Sequence, residues 1–145
     1  MIYRKAKKED IPAIHHLVEV LASFEKEENA ITVDSKYYEE CFDENTFQAI
    51  VAEDAGQVVG MALFYMTFST WKGKMMYLED FVVLPKYRNQ GVGKELWDIW
   101  IAESKEQGAK MVKWQVLDWN TDATRFYIRQ GATIEKQWWN GKIIF

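Results

Sequence analysis

A basic, glycine-containing turn lies near the middle of the chain, between an apolar run and an amphipathic segment. It reads Arg88-Asn-Gln-Gly-Val-Gly-Lys94, and the apolar run before it ends at Pro85. The segment after it has apolar residues at helical spacing, so the turn opens a helix. A helix N-terminus presents unpaired N–H groups and the positive end of the dipole, and glycine lets a ligand approach the backbone closely. The pattern predicts an anion site suited to a pyrophosphate.

Two common kinds of nucleotide site are disfavoured by the same turn. It contains neither the Walker sequence nor the G-x-G-x-x-G string of dinucleotide sites. Glycines before a helix also occur in turns that bind nothing. The combination Arg-x-x-Gly-x-Gly, after a buried strand and before a helix, is the more specific signal, and it favours the anion site.

Two adjacent carboxylates, Glu79 and Asp80, are the only charges in the apolar run from Met75 to Leu84. Such a run is typical of a central strand that is buried on both faces. Neighbouring residues of a strand point to opposite faces, so we expect only one of the two carboxylates to face a given site. A carboxylate in a site can act as a general base. The alternative is that both are ion-pair partners.

The composition limits the classes of function. The chain has 145 residues, 48% of them apolar, which suits one domain with a substantial core. Its 18 basic and 22 acidic residues give a net charge of −4, which disfavours nucleic acid as a partner. Cys41 is the single cysteine, so we expect no internal disulfide and no Cys-based metal site, and no other metal-ligand pattern indicates a metal. No signal peptide or membrane-spanning run is found, and we expect a cytoplasmic protein without a membrane partner.

Periodicity and turn residues predict the element order β-α-α-β-β-β-α-β-α-β-β. The expected strands lie at 2–4, 48–53, 58–68, 75–84 and 111–117, and the expected helices at about 9–25, 34–42, 93–107 and 120–130. Asp10, Asp34 and Asn120 or Thr121 are candidate helix caps. Two short final strands are expected around a type I′ turn at Asn140-Gly141. This order indicates a single mixed α/β domain, residues 1–145, around one twisted sheet.

The turn and four further strings resemble the GNAT N-acetyltransferases over nearly the whole chain, and most closely their diamine (spermidine/spermine) and thialysine branch. The turn resembles the acetyl-CoA pyrophosphate loop of that family. The other strings are Leu21-Ala-Ser-Phe-Glu25, Ser69-Thr-Trp-Lys-Gly73, Tyr77-Leu-Glu-Asp80 and Val116-Leu-Asp-Trp-Asn120. The segment Phe126-Tyr-Ile-Arg-Gln-Gly-Ala132 resembles the family's helix with a catalytic tyrosine. The resemblance implies a mixed, mostly antiparallel twisted sheet, splayed at its centre and flanked by helices.

The resemblance also implies where acetyl-CoA would bind as co-substrate, with no metal. Backbone groups of Phe81, Val82 and Val83 would pair with the pantetheine arm. The pyrophosphate would lie on the turn residues Arg88, Asn89, Gln90, Gly91, Val92, Gly93 and Lys94. Further contacts would come from Asn120, Thr121, Asp122, Ala123 and Tyr127.

An acceptor amine would lie on the other side of the thioester in such an enzyme. The acceptor residues implied are Phe24, Glu25, Glu79, Lys113, Trp114 and Gln115. Glu79 is the favoured base, with Asp80 or a water relay left open, and Tyr127 would donate a proton to the departing sulfur. The expected acceptor is a small cationic primary amine, either a diamine or polyamine or a lysine-like amino acid. The resemblance implies a homodimer.

Two other kinds of function compete with this interpretation. A protein or peptide N-acetyltransferase would need an open groove for a chain. A non-catalytic acyl-CoA-binding regulator would keep the turn but would not need Glu79 together with Tyr127. Both residues are present, which favours an enzyme.

Overall fold

The computed structural model describes residues 1–145, and its central element is a five-stranded sheet. The strands are β1 (Ile2–Lys5), β2 (Gln48–Asp54), β3 (Gln57–Ser69), β4 (Gly73–Val83) and β5 (Met111–Trp114). The helices are α1 (Ile11–Phe24), α2 (Ser35–Asp43), α3 (Val92–Glu106) and α4 (Thr121–Arg129). The sheet order is β1-β2-β3-β4-β5, antiparallel except for the parallel pair β4 and β5. The expected fold class, a mostly antiparallel sheet flanked by helices, is confirmed.

Helices cover both faces of the sheet because side chains alternate along its strands. Val51 and Met61 belong to a buried cluster with Ile11, Ile14 and Leu17 of α1. On the opposite face, a methyl group added at Gly60 would lie 3.3 Å from Leu96 of α3. In α1 and α3, apolar residues spaced three and four positions apart supply the stripe that packs on the sheet.

Two compact units make up the chain, residues 1–114 and residues 115–145. The first contains the sheet with α1, α2 and α3, and the second contains α4. A single domain of residues 1–145 remains a prediction.

Several helix ends confirm the sequence signals. The Asp34 carboxylate accepts the Tyr37 N–H, and the Asn120 side chain accepts the Ala123 N–H. Gly108 and Gly131 follow α3 and α4 with φ of +86° and +87°, the left-handed conformation that ends many helices. Asp10 differs, because its carboxylate accepts hydrogen bonds from Arg4 and the Lys7 N–H and does not cap α1.

The predicted final strands are wrong, because residues 130–145 contain no strand. A type I′ turn requires positive φ at both central residues. Neither Asn140 nor Gly141 has it, whereas Ala55 and Gly56 do, with φ of +48° and +80°, between β2 and β3. The Asn-Gly pair is therefore a favourable sequence for a type I′ turn, but no strands flank it to form a hairpin.

Strand β5 is shorter than the predicted 111–117, since it ends at Trp114. Its last pair is Leu78 with Trp114. Beyond Leu78, β4 continues alone on that side to Val83, so the sheet opens there. The expectation that β4 is buried on both faces is also only partly met, because Met76, Leu78 and Val82 are buried while Glu79 is exposed.

Candidate active site

A β-bulge in β4 determines where its two carboxylates point. Leu63 of β3 pairs with Asp80, and the next residue, Phe64, pairs with Leu78, so Glu79 is an extra residue on β4. A bulge interrupts the alternation of side chains and bends the strand. Parallel pairing with β5 ends at Leu78, immediately before the bulge. The bulge therefore lies at the point where β4 and β5 separate.

The bulge brings both carboxylates to the α1 face of the sheet. Asp80 lines a cavity with residues of α1, and Glu79 contacts Tyr65, which packs against the α1-side core cluster. The expectation that Glu79 and Asp80 point to opposite faces is therefore wrong. Strict alternation holds only for a regular strand, and an extra residue shifts the next side chain back to the same face.

An open, acidic cavity of about 170 Å³ lies between the end of α1, the turn that follows it and β4. Its walls combine apolar side chains with three carboxylates: Val18, Leu21, Ala22, Ala30, Ile31, Glu25, Glu27 and Asp80. Carboxylates that share a partly apolar cavity repel one another, and they attract a cation. The predicted acceptor residue Glu25 is thus brought next to Asp80.

Asp80 has the most perturbed carboxyl group of this cavity. Burial, followed by the charges of Glu79 and Glu25, raises the pKa of Asp80 to about 7. Burial and then the charge of Glu27 raise the pKa of Glu25 above its ordinary value. A carboxyl group that titrates near neutral pH is suited to accept a proton during a reaction and to release it again.

Glu79 lies beside the cavity and is exposed. Its Oε2 accepts a 2.6 Å hydrogen bond from the Tyr65 hydroxyl. The Tyr65 ring is stacked on Tyr77 of β4, with ring centroids 5.5 Å apart. Burial, then the hydrogen bond and charge of Glu79, raise the pKa of the Tyr65 phenol, so this hydroxyl remains a donor.

The glycine turn before α3 has the backbone expected of an anion site. Asn89 and Gly91 have φ of +60° and +84°, and Gly91 is the residue before the first turn of α3. The first three N–H groups of α3, at Val92, Gly93 and Lys94, have no acceptor within the helix. A Cβ added at Gly91 would have no heavy atom within 4 Å, so the space in front of the helix is open. These features fit a pyrophosphate.

The two basic side chains of the turn have partners of their own. The Arg88 Nε donates a 2.8 Å hydrogen bond to the Val83 carbonyl, and its guanidinium lies 5.8 Å from the centre of the Phe24 ring. Lys94 forms an ion pair with Asp98 one helical turn later. Backbone N–H groups are therefore the main hydrogen-bond donors that this turn could offer to an anion.

The free edge of β4 offers backbone groups beside this turn. The Leu84 N–H is bonded to the Val59 carbonyl of β3, so the Val83 carbonyl of the same trans peptide points away from β3. Alternation along the strand directs the Phe81 backbone groups to the same open edge. The Val82 backbone faces β3, and its side chain is buried in the core. This edge fits an extended chain with amide groups, such as a pantetheine arm.

The second unit contains the predicted residues from Gln115 onward. Asn120 caps α4 through the Ala123 N–H, and Thr121 and Asp122 are exposed in its first turn. Tyr127 is 7% exposed and contacts the Phe126 ring. Gln115 is hydrogen-bonded to Asn140.

Two predicted acceptor residues lie elsewhere in the first unit. The Trp114 ring packs edge-on against Trp97, at 5.1 Å between ring centroids, and contacts Trp100. Lys113 is exposed on β5. Neither side chain lines the acidic cavity.

Sequence reasoning did not select Tyr65 or Glu27 as site residues. Tyr65 lies on a long alternating strand, where a tyrosine has no distinguishing motif. Glu27 belongs to an acidic run that resembles a solvated helix end. No group of three or more potential metal ligands is found, and no helix is long and apolar enough to cross a bilayer.

Comparison with known proteins identifies the class to which this chain belongs. The profile of the acetyltransferase (GNAT) family matches residues 13–132. The chain belongs to this family and is an acetyl-CoA-dependent N-acetyltransferase.

Several relatives carry names that refer to small amines. The chain is 33% identical over 139 residues to the thialysine N-epsilon-acetyltransferase of Mus musculus, covering 89% of this chain and 82% of that protein. It is 29% identical to the human spermidine/spermine N(1)-acetyltransferase-like protein 1, covering 89% of this chain and 20% of that protein. An aminoglycoside acetyltransferase from an uncultured soil metagenomic sample has the same fold, with a TM-score of 0.83 at 21% identity over 99% of this chain and 95% of that chain.

Proposed function

We propose that this acetyltransferase acetylates a primary amine of a small cationic acceptor, either a diamine or polyamine or a lysine-like amino acid. The observation that carries the proposal is the shared cavity of Glu25, Glu27 and Asp80. Three carboxylates in a cavity of about 170 Å³ attract a cation of small cross-section and repel an anion. The names of the mouse and human relatives, which refer to thialysine and to spermidine and spermine, support the same class of acceptor.

The proposed place for acetyl-CoA follows the open backbone groups. Its pyrophosphate would lie on residues 89–94, against the first N–H groups of α3. Its pantetheine arm would pair with Phe81 and with the Val83 N–H, because the Val83 carbonyl already accepts from Arg88. Asn120, Thr121, Asp122 and Ala123 remain proposed contacts further along the molecule. Acetyl-CoA supplies the thioester carbonyl that the amine attacks.

The acceptor reaches the enzyme mainly as an ammonium ion. An alkyl amine has a pKa of about 10.4, so roughly one molecule in 2,500 is neutral at pH 7. The neutral nitrogen is the nucleophile, and the enzyme must take up the proton that it loses. Asp80 is the proposed acceptor of this proton, because it lines the cavity and its pKa is raised to about 7. Glu79, the base favoured by sequence, then contributes its charge beside Asp80.

The departing sulfur needs a proton at the other end of the reaction. Tyr127 is the proposed donor, in keeping with the family resemblance of its helix. The ammonium ion gives up two protons in the proposed reaction. The first passes to Asp80 before the attack and is later released to water, and the second, lost from the nitrogen after the attack, restores the proton that Tyr127 donates to the sulfur.

Rates with a panel of amines test the acceptor class. We expect putrescine, spermidine, lysine and thialysine to be acetylated faster than aromatic monoamines or peptide amino termini. Glu25→Gln should raise KM for a cationic acceptor more than it lowers kcat. Glu28→Gln is the matched control, since Glu28 is exposed and is not among the cavity walls. Preference for peptide termini, with no effect of Glu25→Gln, would reject the proposal.

The pH dependence of kcat/KM distinguishes the two candidate bases. If Asp80 accepts the proton, Asp80→Asn removes the limb in which the rate rises with pH through about 7. Glu79→Gln should then retain the limb in which kcat/KM rises with pH, but at a different pH. The opposite result would assign the base to Glu79.

We also infer a homodimer and a cytoplasmic location, from the family resemblance and from the single cysteine. Light scattering in solution tests the first, and fractionation of the source cells tests the second.

A further inference from the structure

The hydroxyl of Tyr65 has no role in the proposed chemistry, yet it makes a specific contact with a carboxylate beside the cavity. Its 2.6 Å hydrogen bond to Glu79 Oε2 joins β3 to the bulged residue of β4. Hydrogen bonds to an ionised carboxylate are among the stronger ones in proteins. The contact therefore restrains a side chain that the fold leaves exposed to water.

Tyr65 itself is held in place from two sides. Its ring is stacked on Tyr77, and its side chain packs against the buried cluster formed by α1 and the sheet. A donor on a fixed ring defines the position of its acceptor, whereas an exposed glutamate without a partner would sample several rotamers. The geometry makes Tyr65 the rigid member of the pair and Glu79 the restrained one.

The restrained charge acts on Asp80. Glu79 and Asp80 are consecutive and lie on the same face because of the bulge. The other titratable groups that act on Asp80 or face it are Glu25 and Glu27 at the cavity wall, Tyr38 on α2 and Tyr65 itself. Among these, Glu79 contributes more than Glu25 to the raised pKa of Asp80, after burial.

We propose that Tyr65 is a positioning residue, whose hydroxyl holds the Glu79 carboxylate beside Asp80 and thereby tunes Asp80 as the proton acceptor. The proposal rests on the assignment of Asp80 under the proposed function. Without the hydroxyl, Glu79 turns toward solvent, where water and salt screen its charge. The ionised form of Asp80 then becomes easier to reach, and its titration moves to lower pH.

The test compares the wild type with Tyr65→Phe and uses Tyr77→Phe as the matched control. Tyr77 belongs to the same ring stack, but the hydrogen bond to Glu79 comes from Tyr65. The Asp80 carboxyl carbon is followed by NMR between pH 4 and 9, after selective labelling of aspartate, with Asp80→Asn used to assign the signal. In parallel, kcat/KM is measured over the same pH range with a cationic amine as acceptor.

We expect Tyr65→Phe to lower the titration midpoint of Asp80 by about 0.5 to 1 pH unit, the effect of partly screening one nearby charge. The low-pH limb of kcat/KM should move by the same amount, and Tyr77→Phe should move neither. Glu79→Gln should reproduce the shift, and the double variant Tyr65→Phe/Glu79→Gln should add nothing to it, because both changes remove the same charge from Asp80.

An unchanged Asp80 titration in Tyr65→Phe, or an equal shift in Tyr77→Phe, overturns the positioning role. If the Asp80 titration shifts while the rate profile stays in place, Tyr65 does position Glu79, and the assignment of Asp80 as the base is what fails.

Discussion

The side chain of Arg88 joins the glycine turn before α3 to the end of β4, through a 2.8 Å hydrogen bond from its Nε to the Val83 carbonyl. The same guanidinium lies over the ring of Phe24, the last residue of α1. One side chain of the proposed pyrophosphate turn thus contacts both the proposed pantetheine edge and the helix that borders the acidic cavity. This contact holds the turn at a defined distance from the open edge of β4.

Arg88→Ala should weaken acetyl-CoA binding by roughly tenfold, which corresponds to about 1.4 kcal/mol. The change removes the contact that orients the turn and also a nearby positive charge. Lys86→Ala is the control, since it removes one exposed positive charge from the same region and leaves the Val83 carbonyl paired. Calorimetry with acetyl-CoA measures both affinities, and equal losses would indicate a general charge effect instead of an oriented turn.

Gly91→Ala should lower both stability and affinity for acetyl-CoA, because Gly91 has a left-handed φ of +84°. That conformation costs an L-residue about 1–2 kcal/mol. Gly108→Ala is a matched control, with φ of +86° and equally open space around its Cβ.

Thermal unfolding of the two glycine variants should show similar losses of stability. Only Gly91→Ala should lose affinity for acetyl-CoA, and Gly91→Asp should lose it completely, because it adds a negative charge facing a pyrophosphate. Unchanged affinity in a folded Gly91→Asp protein would show that the pyrophosphate binds elsewhere.

Asp80→Asn should stabilise the protein above neutral pH and have little effect at pH 4. The folded state raises the pKa of Asp80 to about 7 from an ordinary 3.8, so folding favours the protonated group. Stability is therefore lost as pH rises from about 4 to about 7, and the loss is complete above that range. Because asparagine cannot ionise, Asp80→Asn removes this dependence of stability on pH.

The melting temperature measured from pH 4 to pH 9 tests the predicted direction of this pH dependence. The expected curves for the wild type and Asp80→Asn meet at low pH and diverge as pH rises. Asp118→Asn, at an exposed position, should follow the wild type throughout. A parallel offset of Asp80→Asn at every pH would show that ionisation of Asp80 has no part in the effect.

Tyr127→Phe should lower kcat by about 10²–10⁴, the usual contribution of general acid catalysis, with little change in affinity for acetyl-CoA. The substitution removes the phenolic proton and keeps the ring in its buried place. Tyr37→Phe, at an exposed tyrosine of α2, provides the control. Steady-state kinetics combined with calorimetry separates the two effects, and a wild-type kcat would remove Tyr127 from the chemistry.

Local sequence was sufficient to predict a glycine turn before α3 and most helix ends. Gly108 and Gly131 adopt left-handed conformations where the pattern predicted helix ends, and Asp34 and Asn120 cap their helices. These features depend on residues within one helical turn of each other. Because the interactions that form them lie within a short stretch of chain, these features can be predicted from sequence.

The acidic cavity depended on contacts between distant residues. The bulge at Glu79 arises from the register between β3 and β4, and it reverses the face on which one of two adjacent carboxylates lies. The raised pKa of Asp80 comes from burial, then from the charge of Glu79, which the bulge brings to the same face, and then from Glu25, far away in sequence. The Asn140-Gly141 dipeptide shows the same dependence on distant contacts, since its sequence favours a hairpin turn but no hairpin forms there. Strand register, burial and the repulsion between charges are properties of elements brought together in space, so only the tertiary structure could decide which carboxylate lines the cavity.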